Sequence, residues 1–359
     1  MAKTRFDNVV VFGDSLSDIG TKWTQPMGRV ARKIKEMTVS PVGRFSDCRN
    51  WADHMYETAT GDTLIKGTPQ STIARSRRHT SFSGMSQIDM GRMSFKYANY
   101  AEGGATGGIP ANFGLRLFAL NQFKDQVEAF RRDYANTTVK SAERFLFIVW
   151  FGANDLYTAG AKATAMGEVA EKIAKKRRNE VATIVQPKNA KFIFCNLGPP
   201  LSATRYQLVH DKRERKRDSA LQRIQSGAGA KKDLTEMKKF MEARNMINNF
   251  ESGVQLFNKT LRETAERNGD IYVDIAAAVS PSVVSGILGQ MELVKGSQDV
   301  GTSNVFISSG SYEAVHLFED VKITTSDDVH PTDRMYKYMW EIIKAKISEN
   351  QYTFGNLPD

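Results

Sequence analysis

The chain has 359 residues, of which 41% are hydrophobic and 25% are charged, and its formal net charge is +10. This composition excludes a wholly disordered chain, and the length is sufficient for one large core. The apolar run at residues 145–151 stops far short of the roughly 18 consecutive apolar residues that a membrane-spanning helix needs. We therefore expect a single folded domain over residues 1–359.

The beginning of the chain, residues 1–7, has neither an apolar signal core nor a small-residue cleavage site. Three explanations fit: a cytoplasmic protein, a secreted or effector protein exported without a cleaved signal, or a trimmed N-terminus. The two cysteines, Cys48 and Cys195, are too few for a disulfide framework or a cysteine-based zinc site. No histidines have the spacing of a metal motif, so we expect a site without metal or cofactor.

The first predicted strand, residues 9–13, is a short apolar run that is rich in β-branched residues and ends at a glycine. The polar segment that follows places Ser15 at the carboxyl end of this strand, the edge of an open α/β sheet where ligands bind. A serine hydroxyl there is a candidate nucleophile. Because a free hydroxyl is inert, this interpretation requires a base and an oxyanion-binding group elsewhere in the chain.

The segment after this strand contains a predicted insertion and then a glycine turn. Residues 61–94 are rich in Gly, Ser, Thr and Arg and have little periodicity, which predicts an exposed insertion. A predicted strand at residues 95–100 leads to the glycine-rich turn at residues 103–108. Glycines let the backbone approach a bound group and direct amide N–H groups at it, as an oxyanion requires. An ordinary turn is the alternative interpretation.

The apolar run at residues 145–151 predicts a buried strand that leads to Asn154. The side-chain amide of Asn154 is a neutral, directional hydrogen-bond donor, which suits an oxyanion. Asparagine after a strand is also an ordinary helix-capping residue. Further strands are predicted at residues 191–196 and 271–275, and helices at residues 120–130, 164–184 and 335–347.

Residues 202–250 form a second predicted insertion, which is strongly basic. Residues 205–244 contain 12 Lys or Arg against 6 Asp or Glu, a net charge of +6. Such a segment is either a solvated helical face or a contact for an anionic membrane surface, and no nucleic-acid motif accompanies it. Apolar residues such as Leu234 and Met241 have helical spacing, which predicts that the insertion packs against the body. Residues 226–230 predict a flexible break within it.

His330 lies near the end of the chain, in a short polar segment before the last predicted helix. Its imidazole is a candidate base for the Ser15 proton. Asp327 and Asp328 are both candidates for the carboxylate that would hold the imidazole in the required tautomer. For a histidine beside a proline, a purely structural role is the alternative.

Four segments, taken together, resemble the signature blocks of the GDSL (SGNH) esterases and lipases. They are residues 13–16, 99–106, 151–155 and 327–332, and they carry a Ser, a Gly, an Asn and a His in the order of that family. The resemblance extends over almost the whole chain. It implies a three-layer α/β/α fold with a mostly parallel central sheet, which the alternation of predicted strands and helices also indicates, interrupted here by two long insertions.

The resemblance also implies roles for the site residues. Ser15 is the expected nucleophile and His330 the expected base. Asp327, selected over Asp328 by the Asp-x-x-His spacing of the family, is the expected carboxylate that orients the base. The implied oxyanion hole consists of the backbone amides of Ser15 and Gly104 and the side chain of Asn154, with Gly103 as the alternative to Gly104.

The expected activity is ester hydrolysis of the lipase or phospholipase type through an acyl-enzyme. Residues 43–46, Gly-Arg-Phe-Ser, together with the forms of the Ser15 and Asn154 blocks, most resemble the bacterial glycerophospholipid:cholesterol acyltransferase branch, in which a sterol can replace water as acceptor. A non-catalytic binding module on a hydrolase scaffold is a further alternative. The expected partners are a lipid or other ester substrate and an anionic membrane surface, without nucleic acid.

Overall fold

The computed structural model describes residues 3–25, 28, 40, 42–46, 48–69, 71–72, 96–109, 122–136, 142–159, 164–198, 204–278, 315–317, 321–324 and 330–357. Asp327, Asp328 and most of the predicted insertion at residues 61–94 lie outside these ranges.

Five strands form one parallel sheet at the centre of the protein. The strands of the described residues are β1 (Thr4–Arg5), β2 (Asn8–Gly13), β3 (Lys96–Asn99), β4 (Phe145–Trp150), β5 (Ala190–Cys195), β6 (Ile271–Val273), β7 (Val315–Leu317), β8 (Val321–Thr324) and β9 (Tyr352–Thr353). The central sheet has the order β3-β2-β4-β5-β6, while β1 pairs with β9 and β7 with β8. Val10 of β2 pairs in register with Ala98 on one side and Phe147 on the other. The five strands coincide with the five segments that the sequence predicts as strands.

Helices cover both faces of this sheet. They are α1 (Thr21–Thr24), α2 (Trp51–Thr60), α3 (Phe123–Ala135), α4 (Ala153–Ala159), α5 (Ala165–Glu171), α6 (Arg178–Val185), α7 (Thr204–Gln225), α8 (Lys231–Arg267), α9 (Ile275–Ala278) and α10 (Asp333–Glu349). A π-helical segment, Lys172–Arg177, joins α5 to α6. Within the described ranges, no helix is both long enough and apolar enough to cross a membrane.

The core lies in two layers, one on each side of the sheet, because successive side chains of a strand point to opposite faces. Val9 and Val11 of β2 pack with apolar residues of α2 and α10, including Trp51 and Trp340. Val10 and Phe12, which alternate with them along β2, pack on the other face of the sheet, against α3, α5, α6 and α8. The predicted three-layer α/β/α arrangement is confirmed.

The basic insertion consists of the two long helices α7 and α8, separated by the predicted break at residues 226–230. The prediction that its apolar residues pack against the body is wrong for Leu234 and Met241, which are 64% and 50% exposed. Helical spacing alone does not distinguish a stripe that faces the core from one that faces solvent. Phe240 and Phe250 are the buried aromatic residues of this insertion in the described part of the chain.

Candidate active site

A tight turn at the carboxyl end of β2 presents Ser15. The Ser17 amide donates to the Asp14 carbonyl at 3.1 Å, and the Leu16 amide donates to the Asp14 side chain at 3.1 Å. Since a short polar side chain of this kind commonly bonds backbone two residues ahead, Asp14 explains why the chain turns here. Ser15 is thereby held at the edge of the sheet, half-buried, where the sequence predicts it.

The base of this turn is fixed by side chains from three other elements, α2, α3 and β3. Gln126 of α3 donates to the Gly13 carbonyl at 2.7 Å and accepts from the Gly13 amide at 3.1 Å. Ser17 accepts from the Trp51 indole through its hydroxyl at 3.0 Å and from Asn99 through its carbonyl at 2.9 Å. All of these groups are buried, so the bonds hold the serine turn in one position.

His330 lies beside Ser15, as the sequence predicts. Its Nε2 atom is 2.8 Å from the Ser15 hydroxyl oxygen, which is the distance of a good hydrogen bond. The Phe45 ring packs against the imidazole, with 4.9 Å between ring centroids. The predicted partner of the other ring nitrogen, Asp327, lies outside the described residues.

The helix that follows His330 is anchored at its first residue, Asp333. This carboxylate accepts from the Arg49 amide at 3.0 Å, from the Arg49 guanidinium at 2.9 Å and contacts the His54 ring at 3.1 Å. Burial alone would raise the pKa of Asp333, but the His54 hydrogen bond and the Arg49 charge lower it below its ordinary value. The sequence contexts of Arg49 and His54 gave no sign of this network. It ties the start of α10, and hence the segment that carries His330, to α2.

Each of the three groups of the predicted oxyanion hole has a hydrogen that no described residue accepts. Gly104 has a φ of +83°, a conformation that glycine adopts without strain, and neither its amide nor that of Ser15 donates to any described residue. The Asn154 side chain donates one hydrogen to the Ala105 carbonyl at 2.9 Å. Because a side-chain amide has two hydrogens, this bond orients the group and leaves the other hydrogen for a ligand.

Gly103, the alternative oxyanion donor, is engaged elsewhere. Its amide donates to the Asp18 carboxylate at 2.8 Å. A Cβ at Gly103 would lie 2.3 Å from the Phe45 ring, so glycine is required there by the close approach of this aromatic. The geometry therefore favours Gly104 over Gly103 as the donor.

Two buried carboxylates, neither of which the sequence predicts as a site residue, hold the glycine turn in place. Asp155 accepts from the amides of Gly107, Gly108 and Ile109 at 2.6, 2.9 and 2.8 Å. Asp18 accepts from four amides, including that of Gly103, although burial raises its pKa to about 6. Their signal in the sequence is only their position: Asp155 ends one signature block, next to Asn154, and Asp18 follows another, next to Ser17.

The side chain of Asp14 is buried at this site, and its bonding is incomplete in the described part of the chain. The residue is almost fully buried, and its Oδ2 atom has no hydrogen-bond partner there. Burial raises the pKa of Asp14 to about 7, against the opposing hydrogen bond from Leu16 and the nearby His330. Below about pH 7 the folded protein therefore favours the protonated carboxyl at this position.

The assembled groups have the parts of a nucleophilic site. Ser15 and His330 are in contact, as a nucleophile and its base would be, and Gly104 and Asn154 lie in the segments that follow the two neighbouring strands, with donor hydrogens that no described residue accepts. In the described ranges, no three His, Cys, Asp or Glu side chains are grouped so that they would hold a metal ion.

A parallel α/β sheet with a Ser–His contact at its carboxyl edge is typical of the serine hydrolases. The model of the family described as GDSL-like lipase/acylhydrolase matches residues 9–343. The chain belongs to this family, and it is therefore a hydrolase of the esterase or lipase type.

Several solved structures are similar to this one at low sequence identity. They include a catalytic mutant of an acetylxylan esterase from Geobacillus stearothermophilus, with 9% identity, 98% of each chain covered and a TM-score of 0.39. A phospholipase A1 from Streptomyces albidoflavus has 13% identity, with 95% of this chain and 99% of that chain covered and a TM-score of 0.38. An extracellular lipase from Streptomyces rimosus has 10% identity, coverages of 94% and 99% and a TM-score of 0.36. A search of curated proteins finds no match.

Proposed function

We propose that the protein hydrolyses carboxylic esters of lipids through an acyl-enzyme on Ser15. The observation that carries the proposal is the 2.8 Å contact between the Ser15 hydroxyl and His330 Nε2. In the first step the Ser15 oxygen attacks the ester carbonyl, and His330 accepts the hydroxyl proton. Asp327 is assigned the role of accepting the other imidazole N–H and so of fixing the tautomer.

Three hydrogen-bond donors are assigned the role of binding the negatively charged oxygen of the tetrahedral intermediate: the amides of Ser15 and Gly104 and the side chain of Asn154. Collapse of this intermediate breaks the bond to the leaving alcohol, which takes the proton from His330. Water then attacks the acyl-enzyme, with His330 again as the base, and the carboxylic acid is released. Fixed neutral donors of this kind stabilise the oxyanion without reorganisation, which supports the assignment.

Transfer of the acyl group to a sterol hydroxyl, instead of to water, is the second candidate function. The observation in its favour is the position of Phe45, which packs against His330 and belongs to the segment Gly43–Ser46 that resembles the acyltransferase branch. Arg44 of this segment is fully buried and donates to Asp53 at 2.9 Å, so the segment is held rigidly beside the site. The acyl-enzyme step is the same for both acceptors.

Mixed phospholipid–cholesterol vesicles distinguish the two functions. Wild-type protein, Ser15→Ala and the control Ser348→Ala, which changes an exposed serine at the end of α10, are incubated with the vesicles, and the lipid products are separated. We expect wild-type protein and Ser348→Ala to release free fatty acid and Ser15→Ala to release none. Serine-dependent cholesteryl ester would instead favour acyl transfer. Absence of any product from lipid and soluble esters would leave the binding-module alternative and contradict the proposal.

A further inference from the structure

Residues 211–249 form a helical arm, which consists of the described side chains of α7, the connecting loop and the first half of α8. The two helices contact each other: the Arg217 guanidinium lies 4.5 Å from the Phe240 ring centroid, and Arg223 donates to Asp233 at 2.9 Å. The buried residues of the arm are Ala220, Asp233 and Phe240. A hairpin with so small a core presents most of its surface outward.

The arm concentrates the exposed apolar side chains of the described protein. Of seven large apolar or aromatic residues that are exposed, five lie in the arm: Leu221, Ile224, Leu234, Met241 and Met246. Single exposed apolar residues are ordinary, but a concentration of them in one element marks an interaction surface. Leu234 and Met241 are seven positions apart, two turns of α8, and so share one face.

The same arm has an excess of positive charge that its own acidic residues do not balance. Five acidic residues each form an ion pair with an arginine or lysine of the arm: Glu214, Asp218, Asp233, Glu236 and Glu242. Six further cations are exposed and form no ion pair with a described residue: Lys212, Arg215, Lys216, Lys231, Lys232 and Arg244. A surface that combines unpaired cations with exposed Leu and Met side chains is complementary to an anionic lipid bilayer.

The base of the arm, where α8 continues into the body, contacts the helix that carries Asn154. Phe250, at its base, packs edge-on against Tyr157, with 6.0 Å between ring centroids. Tyr157 lies on α4, three residues after Asn154. An aromatic contact therefore links the residue at the base of the arm to the helix that carries Asn154.

We propose that the helical arm binds the surface of an anionic lipid bilayer. Its Leu and Met side chains enter the headgroup region, while its unpaired lysines and arginines meet the lipid charges. The proposal extends the proposed function, because the arm would hold Ser15 near lipid esters, but binding itself requires no catalysis. It is tested with the Ser15→Ala protein, so that loss of binding and loss of activity are measured separately.

The test is sedimentation with vesicles of phosphatidylcholine, with and without phosphatidylglycerol, at low and high salt. Ser15→Ala protein is expected to bind the anionic vesicles and to be released at high salt. Lys231→Gln/Lys232→Gln should weaken binding by about fivefold per removed charge. Leu234→Asn/Met241→Asn should weaken it about tenfold or more, since apolar insertion is lost while the charge is kept.

The matched control is Lys259→Gln/Lys337→Gln, which removes the same charge from exposed positions outside the arm. In an active background, all variants should retain hydrolysis of a soluble short-chain ester, which shows that they are folded. Equal binding to neutral and anionic vesicles, or an equal loss in the control, would overturn the proposal. So would a finding that Leu234→Asn/Met241→Asn abolishes self-association but leaves vesicle binding unchanged, because the arm would then be a contact between copies of the chain.

Discussion

His330 Nε2 contacts the Ser15 hydroxyl at 2.8 Å, although the two residues are 315 positions apart. Ser15 is held by the end of β2 and His330 by the segment before α10. Tyr336 of α10 donates to the Phe45 carbonyl at 3.2 Å, and α10 packs in the same core layer as β2 and α2. The Ser–His distance therefore depends on the packing of that layer.

Replacement of Asn154 by alanine should lower kcat by about 100- to 1000-fold with little change in KM, because the side-chain donor is needed most in the transition state. Steady-state kinetics on a soluble ester measures this. Asn136→Ala, which removes an exposed amide at the end of α3, is the control and should behave as wild type. A fall in kcat smaller than about threefold for Asn154→Ala would argue against an oxyanion role.

Replacement of Asp155 should damage the glycine turn and activity together. Asp155→Ala removes the acceptor of three amides, and the free energy of unfolding should fall by about 3 kcal/mol. Asp155→Asn keeps one acceptor oxygen and should lose less stability, while kcat falls by about tenfold because the turn is displaced. Denaturant unfolding and kinetics measure both effects. An Asp155→Asn protein with unchanged kcat would show that this anchor does not position the site.

A methyl group at Gly103 should displace Phe45 from His330. The added Cβ would lie 2.3 Å from the Phe45 ring, so Gly103→Ala is expected to lower both stability and kcat. In the double variant Gly103→Ala/Phe45→Ala the clash is absent, and part of the stability lost in Gly103→Ala should return. Thermal unfolding of the four proteins gives the coupling between the two positions. If the losses of stability in Gly103→Ala and Phe45→Ala simply add up in the double variant, the two residues are not in contact.

The raised pKa of Asp14 makes stability depend on pH. Its ordinary pKa is 3.8, and burial raises the pKa to about 7 in the folded protein. Between these values the folded state keeps a proton that the unfolded chain has lost, so the free energy of unfolding falls as pH rises through this window. Asp14→Asn should remove this contribution and be more stable relative to wild type at about pH 8 than at about pH 5. The prediction is wrong if the free energy of unfolding of Asp14→Asn, relative to wild type, is the same at about pH 8 as at about pH 5.

The central sheet was predictable because most of its strands are short apolar runs, as in residues 145–151. The exposure of Leu234 and Met241 was not, since their spacing fits either a core face or a solvent face of α8. The choice between these faces is made by what packs on the helix. A sequence pattern contains no information of that kind.

The residues of the candidate site that define the four signature blocks were predictable from the sequence. Ser15 and His330 were identified from four short segments, and the structure places them in contact. Asp155 lies in one of these segments and Asp18 shortly after another, but an aspartate in a turn is ordinary, and only the fold brings each to several backbone amides. The role of Asp327 stays a prediction.

The most direct test of the account is reaction of the folded protein with a fluorophosphonate probe, followed by identification of the labelled peptide. The predicted result is a single label on Ser15 that is absent in Ser15→Ala and after denaturation, and much slower in His330→Ala, because the hydroxyl is activated only by the folded pair. Labelling of a different residue, or ester hydrolysis by Ser15→Ala at the wild-type rate, would contradict the assignment of Ser15 as the nucleophile.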